Sequence, residues 1–313
     1  MRGACGRLIV IGAALSLAPR AAAQASHVVI VTGIGGGAEY AARFHASASA
    51  MAAAARSGGV PDGNIAYLAG DSAPGIARST KANVERALGD ALRRAGADDL
   101  VFVLLIGHGS HEGAESRLNL PGPDITAAGI SSLLAGARSR RVVVVNAASG
   151  SGDFVAALAA PGRTIITATK SSAERNETLF AQYFVAAFAG AGADTDKDGK
   201  TSVLEAFEYA RREVARAYAA DNRLLTEHAV LEDGADGAVA RSLHLGAPAR
   251  AASSADPAMA RLLEQKRDVE TRLAALRRRK DTMPATEYDA QLERLLVELA
   301  EKDAAIRGGS RTP

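Results

Sequence analysis

Two stretches without a polar position set the frame of this chain: VFVLLI at 101–106 and VVVV at 142–145. Uninterrupted apolar runs of this length read as strands buried on both faces of a parallel sheet. HVVIVTG at 27–33 predicts a strand ahead of them, NIAYL at 64–68 a short second one, and the segments 141–146 and 164–169 the fourth and fifth. Helical periodicity fills the intervals. An alanine-rich helix is expected over 38–56. A second runs from the Ser79-Thr80 cap to about 95, with Val84, Leu88 and Leu92 on one face and Gly96 to end it. A short helix follows over 124–134, then an apolar one at 183–188 and one carrying Val203, Phe207, Ala210 and Val214. Residues 110–117, polar and glycine-containing, read as a loop. Strands alternating with helices over short connections predict an α/β fold, a mostly parallel sheet sandwiched between helices.

The pattern changes beyond residue 245. Residues 246–256, GAPARAASSAD, have the composition of a linker. In 257–313, Leu262, Val269 and Leu276 recur every seven residues, and Leu292, Leu299 and Ile306 do so again after a break at Pro284. This predicts a C-terminal helical hairpin or short coiled coil, able to self-associate or dock a partner. The basic run Arg277 to Lys280 reads as a solvated helix end.

Composition narrows the function. Of 313 residues, 48% are apolar and 23% charged, and the net charge is +2, which carries no electrostatic footprint for nucleic acid. Arg2 and Arg7 precede an apolar run at 8–18 that is too short to span a bilayer, and small residues ending Ala23-Gln24-Ala25 follow. Residues 1–25 therefore read as a secretory signal, with the mature chain starting at Ser26, exported to a periplasm or secreted, and no membrane span left after cleavage. The single cysteine, Cys5, lies inside that leader, so the mature chain has neither disulfide nor thiol nucleophile. The domain proper is expected over 26–245.

Both long strands end in candidate chemistry. The third delivers Gly107-His108-Gly109-Ser110, and the fourth runs into Asn146-Ala147-Ala148-Ser149-Gly150-Ser151-Gly152. Open α/β sheets bind ligands at such carboxyl ends. An apolar block ending in His-Gly, then one ending in an amide or acid, Ala and Cys, resembles the caspase and legumain clan of cysteine peptidases. With TATKSSAERNETLFAQYF at 167–184 and EAFEYARR at 205–212, the resemblance is to a bacterial legumain-like branch and covers about residues 27–240. It implies that His108 assists the scissile amide, that the Gly109 amide helps bind the oxyanion, and that Ala148 stands where the nucleophile should be. The expected protein is therefore a pseudopeptidase that binds or scaffolds a peptide or protein partner. The alternatives are a peptide-bond hydrolase using Ser149 or Ser151 with His108, with His111 as a second base, and a structural calcium module in an envelope assembly. The remaining histidines show no metal-ligand spacing.

Residues 194–205, DTDKDGKTSVLE, match the EF-hand loop at positions 1, 3, 5, 6, 9 and 12. Asp194, Asp196 and Asp198 supply carboxylate oxygens, Gly199 the sharp turn, Lys200 its backbone carbonyl, Ser202 a water-mediated contact, and Glu205 a bidentate closure; the expected cofactor is Ca2+. Thr201 stands where an aliphatic side chain usually packs, which points to an affinity of roughly 10⁻⁴ to 10⁻³ M. Glu232, Asp233 and Asp236 form an acidic, glycine-rich turn resembling a degenerate second loop. Gly33-x-Gly35-x-x-Ala38 imitates a dinucleotide fingerprint but lacks the acidic residue about 20 positions on, so it reads as a tight strand-to-helix turn.

Overall fold

A computed structural model describes residues 24–112, 115–190, 192–246 and 283–309, with individual positions between 261 and 276. Most of the predicted signal (1–25) and linker (246–256) lie outside them. The chain opens with β1 (Ser26–Thr32), α1 (Ala38–Ser57), β2 (Ile65–Ala69), β3 (Ala77–Arg78), α2 (Lys81–Arg94) and β4 (Leu100–Ile106). A small antiparallel sheet follows, β5 (Gly109–Glu112), β6 (Glu115–Leu118) and β7 (Ile125–Thr126), then α3 (Ala127–Leu134) and β8 (Arg141–Asn146). The rest comprises α4 (Phe154–Leu158), β9 (Arg163–Thr167), α5 (Phe180–Ala189), α6 (Val203–Ala220), β10 (Val230–Glu232), α7 (Ala238–Arg241) and α8 (Ala285–Gly309).

The main sheet has the order β10-β9-β8-β4-β1-β2-β3, parallel throughout except for β10 against β9. Its apolar runs alternate between two cores. Leu100, Phe102, Leu104 and Ile106 of β4 point into a core with α1, α5 and α6, while Val101, Val103 and Leu105 point into one with α2, α3 and α4. Helices cover both faces, which is why β4 and the VVVV run of β8 carry no polar position. The architecture is the expected α/β one, a mostly parallel sheet sandwiched between helices.

From β1 the chain builds outward on one side to β2 and β3, then returns to place β4, β8 and β9 on the other. The order reverses between β1 and β4, so the crevice beyond their carboxyl ends is the topological switch point where such sheets bind ligands. Thr80 caps α2, accepting from the Asn83 amide at 3.4 Å.

Several elements escaped the pattern. Residues 110–112 and 115–117, read as parts of a loop, are strands: β5 and β6 pair from Gly109↔Leu118 to Glu112↔Glu115. The two residues of β3 and β7 and the three of β10 are too short to show a period. At the C-terminus, the described positions between 261 and 276 are helical and Val269, Leu276 and Ile306 are buried. Arg272 Nη2 donates to Glu298 Oε1 at 2.6 Å, tying the two arms of the hairpin. Gly246 is held in the domain by reciprocal 3.2 Å bonds with Ser26, so the first residue assigned to the linker belongs to the fold. Among the described residues no helix is long and apolar enough to cross a membrane.

Candidate functional site

His108 lies at the switch point. β4 carries it past Ile106, and its Nε2 donates to the Gly35 carbonyl at 3.1 Å, across the crevice to the loop that follows β1. Two rings of α1 box the imidazole edge to face, Tyr40 at 5.1 Å and Phe44 at 5.2 Å between centroids. Neither ring was expected from sequence; a Tyr and a Phe four positions apart on an alanine-rich helix are the signal that would have pointed to them. Gly35 serves as a turn residue, its amide donating to Asp71 Oδ2 at 2.8 Å, in keeping with the turn reading of the glycine fingerprint.

The β8 loop meets this region from the other strand. Gly109 N donates to Ser149 Oγ at 3.3 Å, so the amide expected to bind an oxyanion is occupied by a hydroxyl of the chain itself. Ser151 is fully buried against Thr169, Oγ to Oγ1 3.1 Å, while the Thr169 amide donates to Ser151 Oγ at 3.3 Å. Neither serine makes a hydrogen bond to His108.

Side-chain parity along β8 decides the rest. Val143, Val145 and Ala147 face the core on the α1 side, whereas Val142, Val144 and Ala148 face the core on the α2 side. Ala148, the position aligned with the peptidase nucleophile, is 1% exposed and lies on the opposite face from the rings that box His108. Ala147 is the residue on His108's side. With Phe44 and Ile106 it lines a shallow depression of about 20 Å³ open to solvent, flanked by Thr178 and an Arg43–Glu177 ion pair. Arg43 also stacks over Tyr40 at 5.0 Å.

The loop 170–179 that walls the depression is tied down by the segment after α6. Asn176 donates to Thr226 at 2.9 Å, His228 Nδ1 meets Glu174 Oε1 at 2.5 Å, and Glu227 accepts from the Leu179 and Phe180 amides at 2.9 and 2.8 Å. Burial, with Glu174 nearby, pushes the Glu227 carboxyl up to about 7 against the pull of those amides. His111 is not an exposed loop residue: it is half-buried in β5, with Nδ1 at 3.2 Å from Ser116 Oγ and 3.3 Å from Asp153 Oδ2. Ser116 donates to Asp153 at 2.8 Å, so the hydroxyl proton is directed at the carboxylate and not at the imidazole.

The EF-hand-like loop joins α5 to α6. Asp194, Asp196 and Asp198 bring one carboxylate oxygen each within 4.8 Å of one another. Gly199 makes the turn at φ 85° with open space around its Cα, as the sharp bend requires. Burial first, then Asp198 and Glu205, raise the Asp196 carboxyl to about 6, against the pull of the Lys266 ammonium.

Glu205 and Ser202 depart from the expected ligand set. They form a capping box at the start of α6: Ser202 Oγ accepts from the Glu205 amide at 3.2 Å, and Glu205 Oε2 accepts from the Ser202 amide at 2.9 Å. Glu205 Oε1 takes the Thr195 amide at 2.8 Å. Burial alone would raise Glu205, but hydrogen bonds from Ser202 and Thr195 outweigh it and hold the carboxyl below its ordinary value. The three aspartates could together hold a cation, and Glu205 would have to leave its cap to join them.

Two partners of this loop were not legible in the motif. The Lys266 ammonium of the C-terminal hairpin, 7% exposed as a residue, sits 4.0 Å from Asp196 Oδ2. Ser202 also bridges antiparallel to His244. Asp233, in the turn read as a degenerate loop, spends its carboxylate on the Ala235, Gly237, Val239 and Ala240 amides at 2.9–3.0 Å. It caps α7.

Compared with known proteins, the chain matches no family model and no curated protein. Among solved structures it is similar to protein GSU0716 from Geobacter sulfurreducens, with 14% identity and a TM-score of 0.44 over 66% of this chain and 92% of that one.

Proposed function

We propose that this chain is an exported calcium-binding protein on a caspase/legumain-like frame, which binds a peptide or protein segment at the sheet edge without hydrolysing it. The parity of β8 carries the reading: Ala148 is buried on the face opposite His108, and Ala147, on the His108 side, is a methyl as well. No nucleophile stands at either position. A general base must reach the proton it removes at about 2.6–3.2 Å, yet Ser149 Oγ takes the Gly109 amide and His108 Nε2 is committed to Gly35. The depression between α1 and α5, about 20 Å³ with the Arg43–Glu177 pair at its side, has room for no more than a water-sized group, so a bound segment would lie across the sheet edge and not in a pocket.

The test compares wild type with His108→Ala against a fluorophosphonate serine probe and a mixed peptide library, in calcium and in chelator. Silence from the probe together with peptides retained on the folded protein is expected. Labelling or cleavage that disappears in His108→Ala would replace this reading with a serine hydrolase.

Calcium belongs to the same proposal. The aspartate triad and the Gly199 turn support a Ca2+ site, whose occupant would neutralise carboxylates that now repel one another. An extracellular-type affinity near 10⁻⁴ to 10⁻³ M predicts that about 10 mM Ca2+ raises the unfolding free energy by roughly 1–3 kcal/mol over chelator. Lys266 shares Asp196 with the metal. Lys266 is 7% exposed, and a unit charge near 4 Å is worth from about 1 kcal/mol in water to about 4 kcal/mol at the effective dielectric of a protein surface, so Lys266→Ala is expected to bind Ca2+ at least about fivefold more tightly by calorimetric titration. No heat in either protein would defeat the calcium reading, and equal affinities would show that Lys266 does not compete.

A further inference from the structure

The sequence offers two A-x-A sites two residues apart: Ala21-Ala22-Ala23 before Gln24, and Ala23-Gln24-Ala25 before Ser26. Small residues at the first and third positions satisfy the peptidase equally in both. The cut after Ala25 is the one expected from sequence, but the pattern does not choose between them, and the folded chain supplies a reason to prefer the other.

Gln24 and Ala25 are built into the amino-terminal edge of the main sheet. Ala25 O accepts from the Leu100 amide at 2.8 Å, extending the β1–β4 ladder one residue before Ser26. Ala25 N donates to Asp99 Oδ1 at 2.8 Å, while Asp99 Oδ2 takes the Gly96 amide at 2.7 Å. Arg141, at the start of β8, donates through Nη1 to Gln24 Oε1 at 2.6 Å. These bonds join the first residues of the mature fold to β4 and β8.

Cutting after Ala25 would break all three. The Leu100 amide, in a residue with no exposure, would face no acceptor. A new ammonium would sit on Ser26, which is 2% exposed and whose hydroxyl already exchanges hydrogen bonds with Gly246. Asp99 could pair with that charge, but it would not restore the Leu100 bond. Cutting after Ala23 leaves every bond in place and puts the ammonium on the half-buried Gln24.

We propose that the leader ends at Ala23 and that the mature chain begins at Gln24, held to the sheet by Leu100, Asp99 and Arg141. This rests on the reading of the first residues as an export signal. The proposal moves the mature start two residues upstream of Ser26 and makes Gln24 and Ala25 part of the fold.

The full-length chain is expressed in a host with an export pathway, recovered from the exported fraction, and read by intact mass and sequencing of the N-terminal peptide. A chain of residues 24–313 is expected, with or without the loss of ammonia that accompanies cyclisation of an N-terminal glutamine. Two variants separate the sites: Ala21→Leu spoils only the cut before Gln24 and is expected to abolish it, whereas Ala25→Leu spoils only the cut before Ser26 and is expected to leave processing unchanged. A wild-type start at Ser26, or Gln24 processing lost in Ala25→Leu, overturns the proposal. Wild type recovered uncut from Met1 would instead overturn the export reading on which it rests.

Discussion

Replacing Glu227 by alanine is expected to lower the unfolding free energy by about 3 kcal/mol, since two buried backbone amides lose their acceptor at roughly 1–3 kcal/mol each. Glu227 is 4% exposed and receives the Leu179 and Phe180 N–H groups at the start of α5, the helix that walls the depression and leads into the aspartate loop. No other side chain is placed to receive them in the bonds that the described residues make. The same group sets a pH dependence. Burial, aided by Glu174, raises its carboxyl from an ordinary 4.5 to about 7. The folded state therefore keeps a proton that the unfolded chain has released, and the stability due to that proton is full below about 4.5 and lost as pH rises through about 7. At 1.36 kcal/mol per unit the change across the window is about 3 kcal/mol. Urea unfolding of wild type and Glu227→Gln over that range checks both statements: the glutamine variant, with one carbonyl acceptor left and nothing to titrate, should show a flattened profile. A wild-type profile that rises through the window, or an alanine variant within about 0.5 kcal/mol of wild type, would remove Glu227 from this role.

Gly109→Ala is expected to cost a comparable amount, about 3 kcal/mol, for a steric reason. A Cβ at that position would stand 2.2 Å from the Ser149 carbonyl oxygen, which is backbone and cannot turn aside as a flexible side chain would. Either β5 or the 149–152 loop must move, and the Gly109–Ser149 hydrogen bond goes with it. Gly63→Ala is the control, with nothing within 4 Å of the added methyl, and should stay within about 0.5 kcal/mol of wild type. If the two variants denature at the same urea concentration, the close packing of the two strand-end loops is not what holds the site in shape.

The site was legible where its signal is local. His108 after an unbroken apolar strand, and aspartates alternating ahead of a glycine, are patterns of neighbours along the chain, and both lie where the spacing put them. The partners that define their chemistry are not local. Tyr40 and Phe44 reach His108 from α1, far earlier in the chain, and Lys266 reaches Asp196 from the C-terminal part of the chain. Glu205 shows the opposite limit: its spacing fits two roles, metal ligand and capping-box partner, because loop position 12 falls three residues after position 9, which here is a serine at a helix start.

By itself the sequence determined the alternation of strands and helices, the double burial of the sheet, and the absence of a thiol after Cys5, since these follow from residue type and period alone. Tertiary structure decided which face each strand residue takes. VVVV reads the same in either parity because both faces are apolar, so only the packing of α1 and α2 on opposite sides could set Ala147 beside His108 and turn Ala148 away from it.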